Sequence, residues 1–486
     1  MSLGKKGLSS LGNISNSNAM TSQNHYGQSA GFLTDMLATS FATYLDSRYK
    51  FSKTPHPLTF VDSPFYPGLK LIQKGEGPKP KSSAIMGTVR MGYGHHRMAM
   101  AGYSHILDSE KIAYLHDLLA IESPEAEAIH SIDGFYSYWS RLSAEVGGVV
   151  EWAWGQFTSN GTYGSLHLSL KLAESYRALL SDVDTSLPYI STYPLNGQIA
   201  KACGMENVVH MICDNFPQYF LLVPGALNLV QTQSAYTKFL GMGVPKSELA
   251  YAGHWVSSDI RKNILKDTSD RIKRCDDDKP RRLLIPVGGA GAQKSYLIEF
   301  FALLEKEIQD HSVTVFLNVG DHKSVYQLFQ EFFQKKQWSF KTVTSQAELD
   351  ELIATANSSK ELGFPIYLCH FSTHTEAFSA TEYLIRISDV LLTKPSELAF
   401  YPIPKLFLRR VGDHEAYSAV YSNEIGEGTV ECRESANAYS ILKLFLGRNS
   451  DLFKRMNECV LKNHDKKIYD GAKNAIEIAL SKRKGN

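Results

Sequence analysis

A chain of 486 residues exceeds what one compact hydrophobic core organises, so two or three domains are expected. Hydrophobic residues make up 43% and charged residues 21%, the balance of an ordinary globular protein rather than a disordered or fibrous one. The formal net charge of +1 leaves no global field to attract nucleic acid, and no nucleic-acid partner is expected.

Residues 1–28 are polar and rich in Ser, Asn and Gly, and are expected to be a disordered leader or tag. Residues 29–82 form an N-terminal extension. Phe32, Met36, Leu37, Phe41, Tyr44 and Leu45 fall near helical spacing over 31–47, and the Pro- and Gly-bearing stretch 53–82 reads as loop. The first α/β domain is placed at 83–262. It opens with the apolar run SAIMGTV, a glycine turn and a helical run from Met98 to Leu107. Further strands are expected at Tyr189–Thr192, Val208–Cys213 and Leu227–Thr232. The charged stretch 263–280 is the candidate linker.

A second α/β domain at 281–448 repeats the pattern. RLLIPV is followed by a glycine turn and a helix through Ile308. VTVFLNVG, IYLCHF, DVLLT and KLFLR read as strands, with helices near 323–335 and 376–388. A C-terminal helix is placed at 449–486. Alternation of this kind predicts two doubly wound, Rossmann-like α/β domains, each built on a largely parallel sheet. No apolar run is long enough to span a bilayer and no signal peptide pattern is present, so a cytoplasmic location is expected. Peripheral membrane contact stays open through the aromatic cluster Phe135, Tyr136, Tyr138, Trp139, Trp152 and Trp154, for which core packing is the competing reading. The six cysteines show no Cys-x-x-Cys pair and are expected to be reduced thiols.

Three strings carry chemistry. The first is Met91-Gly92-Tyr93-Gly94-His95-His96-Arg97, after the first strand. Glycines permit a tight turn and close ligand approach, and a helix start offers free N–H groups and a positive dipole end. A histidine there is suited to general-base work. The second is Gly288-Gly289-Ala290-Gly291, whose small residues allow backbone amides to hold a phosphate; a packing turn is the alternative. The third is 389–429. Lys394-Pro395-Ser396-Glu397 starts a helix after a strand, and Asp413-His414-Glu415 follows the next one. Glu397 is suited to ribose hydroxyls and Asp413, His414 and Glu415 to sugar hydroxyls; a capping Glu and a polar loop are the competing reading. The run from His370 through His374 to Glu376 matches no zinc spacing, and no metal is expected.

Together these strings resemble the GT-B glycosyltransferases of the MurG and monogalactosyldiacylglycerol-synthase type, over roughly residues 83–445. Gly94-His95, with Ala99 four residues on, is similar to that family's first glycine turn. Ser191-Thr192-Tyr193-Pro194 takes the place of its Thr-His-Pro element. Ile212-Cys213-Asp214 matches its strand ending in Asp, and Gly253-His254-Trp255-Val256 its element at the domain junction. Glu397 to Pro404 preserves the spacing from its ribose-binding Glu to the next strand. Two departures stand out: the family's Gly-Gly-x-Thr between Pro395 and Ser396 is absent, and His414 replaces a Gln.

The resemblance implies two facing domains with the site in the cleft between them, and transfer of a sugar from a nucleotide-diphosphate sugar to an acceptor hydroxyl with inversion. His95 would activate an acceptor hydroxyl, with Asp214 as the second catalytic residue and Gly92, Gly94 and His96 in the same turn. Gly288, Gly289, Ala290, Gly291, Lys394, Ser396 and Glu397 would hold a nucleotide-diphosphate sugar, and Asp413, His414 and Glu415 its sugar. The donor is a substrate, and no cofactor is implied; the acceptor is not specified. Two alternatives stay open. One is a nucleotide-sugar epimerase or hydrolase using Asp214, His370, His374 and Glu376. The other is a non-catalytic binding protein of the same fold.

Overall fold

The computed structural model describes residues 20–131, 162–288, 293–358, 361–410, 413–448 and 450–481. Eight strands build the first sheet: β1 (Leu58–Asp62), β2 (Leu69–Lys74), β3 (Ala84–Thr88), β4 (Ala113–Asp117), β5 (Tyr189–Ser191), β6 (Val208–Met211), β7 (Leu227–Val230) and β8 (Leu249–Tyr251). Their order is β1-β2-β4-β3-β5-β6-β7-β8, with β1 and β2 antiparallel and every other pair parallel. Six strands build the second: β9 (Arg281–Pro286), β10 (Val313–Asn318), β11 (Lys341–Val343), β12 (Ile366–Cys369), β13 (Val390–Thr393) and β14 (Lys405–Phe407). Their order is β11-β12-β10-β9-β13-β14, all parallel. The fold is therefore two Rossmann-like domains facing each other across a cleft, the GT-B arrangement.

Parallel sheets are covered on both faces, so their strands are apolar throughout rather than alternating. Every residue of β3 and of β10 is buried. In the second domain Leu283, Ile285, Val315 and Leu317 pack against Phe300, Phe301 and Phe329 from the helices. In both sheets the strand order reverses beside a central strand. The reversal lies between β3 and β5 in the first sheet and between β9 and β13 in the second. Such switch points leave a crevice at the C-terminal ends of the strands, where ligands of open α/β sheets bind.

Three segments differ from the sequence expectation. Within 53–82, β1 and β2 form a hairpin that extends the first sheet at its edge. Both are short and half exposed, so their apolar pattern is weak. The charged stretch 263–280 is mostly helix, Ser258–Asp276. Its buried positions are Ser258, Ile260, Ile264, Asp267, Thr268, Arg271 and Cys275, which keep helical period but are more than half polar. Its start is held by the first domain, where Ser258 N–H donates to Ser104 Oγ at 2.8 Å. Its later turns are held by the second, where Arg271 donates to the carbonyls of Ser388 (2.9 Å) and Pro402 (3.1 Å). The helix is a structured connection. Finally, the C-terminal segment is two helices, Asp451–Asp465 and Gly471–Ser481, separated by a turn at Ile468–Asp470.

The last helix crosses back to the first domain. Ala472, Ala475, Ile476 and Ala479 are buried there with Met86, Met98 and Met211. A Cβ on Gly102 would stand 2.9 Å from Met86 Cε of β3, so glycine leaves room for that side chain beneath the helix, while Ile476 Cδ1 would be at an ordinary contact distance of 3.5 Å. Among the described residues no helix is long and apolar enough to cross a membrane. The six cysteines are free thiols. Phe135, Tyr136, Tyr138, Trp139, Trp152 and Trp154 lie outside the described residues.

Ile476 is 2% exposed and carries much of that helix's anchorage. Ile476→Ala is expected to cost about 2–4 kcal/mol, read in urea unfolding as a lower midpoint at unchanged slope.

Candidate functional site

Both switch points open into one cavity of about 450 Å³. The first-domain wall is built on the turn after β3. Gly92 takes φ +70, a left-handed conformation that a side chain disfavours. The Gly94–Leu107 helix then begins with no side-chain cap and no acidic residue in its first turn, so its N–H groups and positive end face the cleft. Asn196, fully buried, pins the strand ends beneath this turn by donating to the carbonyls of Thr88 (3.0 Å) and His116 (3.2 Å).

His95 lines the cavity. Its Nδ1 lies 2.7 Å from the Thr192 carbonyl, at the end of β5. A carbonyl only accepts, so Nδ1 carries the proton and Nε2 of the neutral ring is the acceptor. Burial pushes the His95 pKa below its ordinary value, against the Thr192 hydrogen bond and the Asp214 charge, which act to raise it. Tyr193 sets its ring edge-on to His95 at 5.0 Å between centroids. Asp214 and Cys213 complete this wall. His96 turns away from the cavity toward Asp117, 3.2 Å from its carboxylate. Burial acts to raise the Asp117 carboxyl, but the His96 hydrogen bond and charge outweigh it and the pKa is lowered.

The second-domain wall comprises Gly288 after β9 and Lys394 to Leu398 after β13, with His414, Glu415 and Ser418. Lys394-Pro395-Ser396-Glu397 does not open an α-helix; a single 3-10 turn, Glu397–Phe400, follows instead. The Lys394 ammonium pairs with the buried Glu415 carboxylate, so Glu415 faces a cation rather than open cavity. His414 is exposed at the rim. Gly289, Ala290 and Gly291, and the Asp413 side chain, lie outside what the structure describes.

The two walls are tied by a residue that sequence reading passed over. Arg97, 4% exposed, leaves the first-domain helix and donates to Glu397 of the second domain, with Glu382 at 3.9 Å. Burial acts to raise the Glu397 carboxyl, but the Arg97 and Lys394 charges and a Ser396 hydrogen bond hold it below its ordinary range. The only sequence signal was an arginine set in the apolar run Met98-Ala99-Met100-Ala101.

Further contacts close the rim. Tyr93 donates to Asp321 Oδ1 at 2.5 Å, and its ring lies 4.9 Å from that of His374. Asn215 Nδ2 donates to the Tyr417 carbonyl at 3.2 Å, and Phe216 packs on the Tyr417 ring at 4.6 Å. The histidine run does not enter the cavity. His374 packs against His96 at the domain interface, His370 against Tyr326, and Glu376 bonds Thr373 at its helix start. Among the described residues no three His, Cys, Asp or Glu side chains are grouped to hold a metal ion.

Two family models match the chain: residues 41–240 match a domain of unknown function, DUF6937, and residues 244–480 a domain of unknown function, DUF6938. No curated protein matches in sequence. Among solved structures the chain is similar to UDP-GlcNAc 2-epimerase from Neisseria meningitidis bound to UDP-GlcNAc, at 11% identity and TM-score 0.46, over 82% of this chain and 100% of that one. It is similar to S. aureus MnaA, solved with UDP, at 14% identity and TM-score 0.44, over 81% and 97%. It is also similar to an alpha,alpha-trehalose-phosphate synthase (UDP-forming) from Burkholderia vietnamiensis, at 10% identity and TM-score 0.39, over 83% and 99%.

The strand ends that carry the site rest on neutral histidines. Burial lowers His116 to about 4, and His210 and His254 to about 3. An unfolded histidine titrates near 6.5, so below that pH the unfolded chain binds more protons and the folded state loses stability. The loss sets in as pH falls through 6.5 and continues to the folded values. Each histidine is expected to contribute on the order of 1 kcal/mol between pH 6.5 and 5.5. Urea unfolding across that range is expected to show falling stability, with a shallower slope in His210→Gln.

Proposed function

We propose that the chain is a sugar transferase, binding a nucleotide-diphosphate sugar on the second-domain wall and activating an acceptor hydroxyl with His95. The observation that carries this reading is the hydrogen bond from His95 Nδ1 to the Thr192 carbonyl. It fixes a neutral tautomer whose Nε2 is free to take a proton, on the wall opposite Gly288 and Lys394. The order of motifs shared with the MurG type supports the same assignment.

In the proposed reaction, Nε2 removes the acceptor proton as the hydroxyl oxygen attacks the anomeric carbon. The bond from that carbon to the diphosphate oxygen breaks, and the nucleoside diphosphate leaves with the electron pair. Direct attack inverts the anomeric configuration. Asp214 adds a negative charge beside the imidazolium that forms. Lys394 and the uncapped start of the Gly94–Leu107 helix offer positive charge to the developing anion. Of the residues considered for the epimerase or hydrolase alternative, Asp214 lines the cavity while His370, His374 and Glu376 sit outside it, so that reading has less support from the site.

Melting in the presence of UDP, GDP or dTDP is expected to show a rise with at least one of them. Release of that nucleoside diphosphate from its sugar is expected to require an acceptor. His95→Ala should lower turnover by about 10²–10⁴ while the melting shift persists. Because burial lowers the His95 pKa, the acid limb of the rate profile should lie below pH 6.5. Sugar release without any acceptor, or a His95→Ala variant of full activity, would count against transfer.

A further inference from the structure

The described cavity lining holds two cationic side chains, Arg97 and Lys394, and three carboxylates, Asp214, Glu397 and Glu415. Both cations are already paired inside the protein, Arg97 with Glu397 and Lys394 with Glu415. The side chains of the described lining therefore offer an entering diphosphate no surplus positive charge. The Lys394 Cε lies 3.7 Å from where a Cβ on Gly288 would stand, so its ammonium belongs to the second-domain glycine turn. Glu415, whose side chain is 7% exposed, puts a carboxylate on that ammonium. Its place is where an anionic ligand group would gain most from the lysine.

We propose that Glu415 sets the selectivity of this cleft: it occupies the anion subsite at Lys394 and yields to a multiply charged group such as a diphosphate. The inference rests on the nucleotide-sugar reading and assigns Glu415 a different part from the sugar contact that the resemblance implied. The attraction of Lys394 for a ligand scales with ligand charge, so a diphosphate competes with one carboxylate where a neutral hydroxyl does not. Displacement has a route to the rest of the molecule. Glu415 leads directly into the Ala416–Glu424 helix, whose Tyr417 is held by Asn215, Phe216 and Lys238 of the first domain. Moving Glu415 off Lys394 thus acts on a contact that closes the rim.

Titration calorimetry at fixed ionic strength tests this, with UDP, inorganic pyrophosphate and uridine as probes on the full chain. Glu415→Gln keeps the shape and removes the charge. It is expected to tighten UDP and pyrophosphate by about tenfold, the loss of one competing charge, and to leave uridine within about twofold. Glu415→Asp, which keeps the charge, should retain the selectivity of the unaltered protein, and Glu415→Ala should behave as Glu415→Gln does. UDP binding that is unchanged or weaker in both uncharged variants overturns the inference and leaves the nucleotide reading standing. Failure of pyrophosphate and of UDP, GDP and dTDP alike to bind any of these proteins overturns both.

Discussion

Arg97 leaves the first turn of a helix in one domain and ends among carboxylates of the other, with almost none of its surface in water. A buried guanidinium is tolerated only where carboxylates are placed to meet it, and removing one partner leaves an uncompensated charge. This contact joins the two walls beside apolar packing, in which Phe378 of the second domain is buried with Met98 of the first. The helix that projects Arg97 also presents His95 and its own N-terminus to the cavity. The turn that projects Glu397 also carries Lys394 and Ser396. The ion pair thus joins the two elements that carry the proposed acceptor and donor groups.

The two chain crossings between the domains differ in character from this rim. The first runs through Gly253 and His254, and the second through Ile468 to Gly471. They lie side by side: His254 N–H donates to the Ile468 carbonyl at 2.6 Å. Gly253 takes φ +98, and a Cβ there would stand 2.5 Å from that same carbonyl. Beyond the crossing, the last helix is anchored in the first domain by apolar burial. The rim is closed instead by Tyr93 with Asp321, Asn215 with Tyr417, and Arg97 with Glu397. Water can replace part-buried polar partners such as Tyr93 with Asp321 and Asn215 with Tyr417, whereas buried apolar area has no substitute. The crossings are the fixed side of the cleft and the polar rim is the side that ligand contacts compete with.

Much of the frame was legible because parallel strands are buried on both faces and so appear as apolar runs. SAIMGTV, RLLIPV and VTVFLNVG became β3, β9 and β10. The hairpin of β1 and β2 was hidden by its half-exposed edge position, and the Ser258–Asp276 helix by polar residues at its buried positions. Arg271 is the clearest case: a charge read as solvated linker is fully buried, donating to the carbonyls of Ser388 and Pro402. At the site, His95, Asp214, Gly288, Lys394 and Glu397 were legible because strand ends and glycine turns announce themselves, and the structure brings all five to one cavity. What sequence order could not give was pairing across the domains. Arg97 with Glu397 spans 300 residues, and Tyr93 with Asp321 spans 228.

The shortened connection after β13 gives these pairings a common physical basis. Without a Gly-Gly-x-Thr segment, the chain passes from Lys394 through Pro395 and Ser396 straight into the 3-10 turn that begins at Glu397. A carboxylate thereby stands close to the first-domain turn. A Cβ on Gly94 would lie 3.3 Å from Glu397 Oε2, so the glycine leaves room for that approach. Glu397 then meets Arg97, and Glu415 meets Lys394, which leaves both cations of the described lining satisfied from within. The cations of the described lining are met by the protein's own carboxylates. Backbone amides in a fixed turn hold an anion without rearrangement, whereas a charge pair must exchange partners to admit one. Under the proposed reading, ligand binding in this cleft is coupled to the contacts that close it.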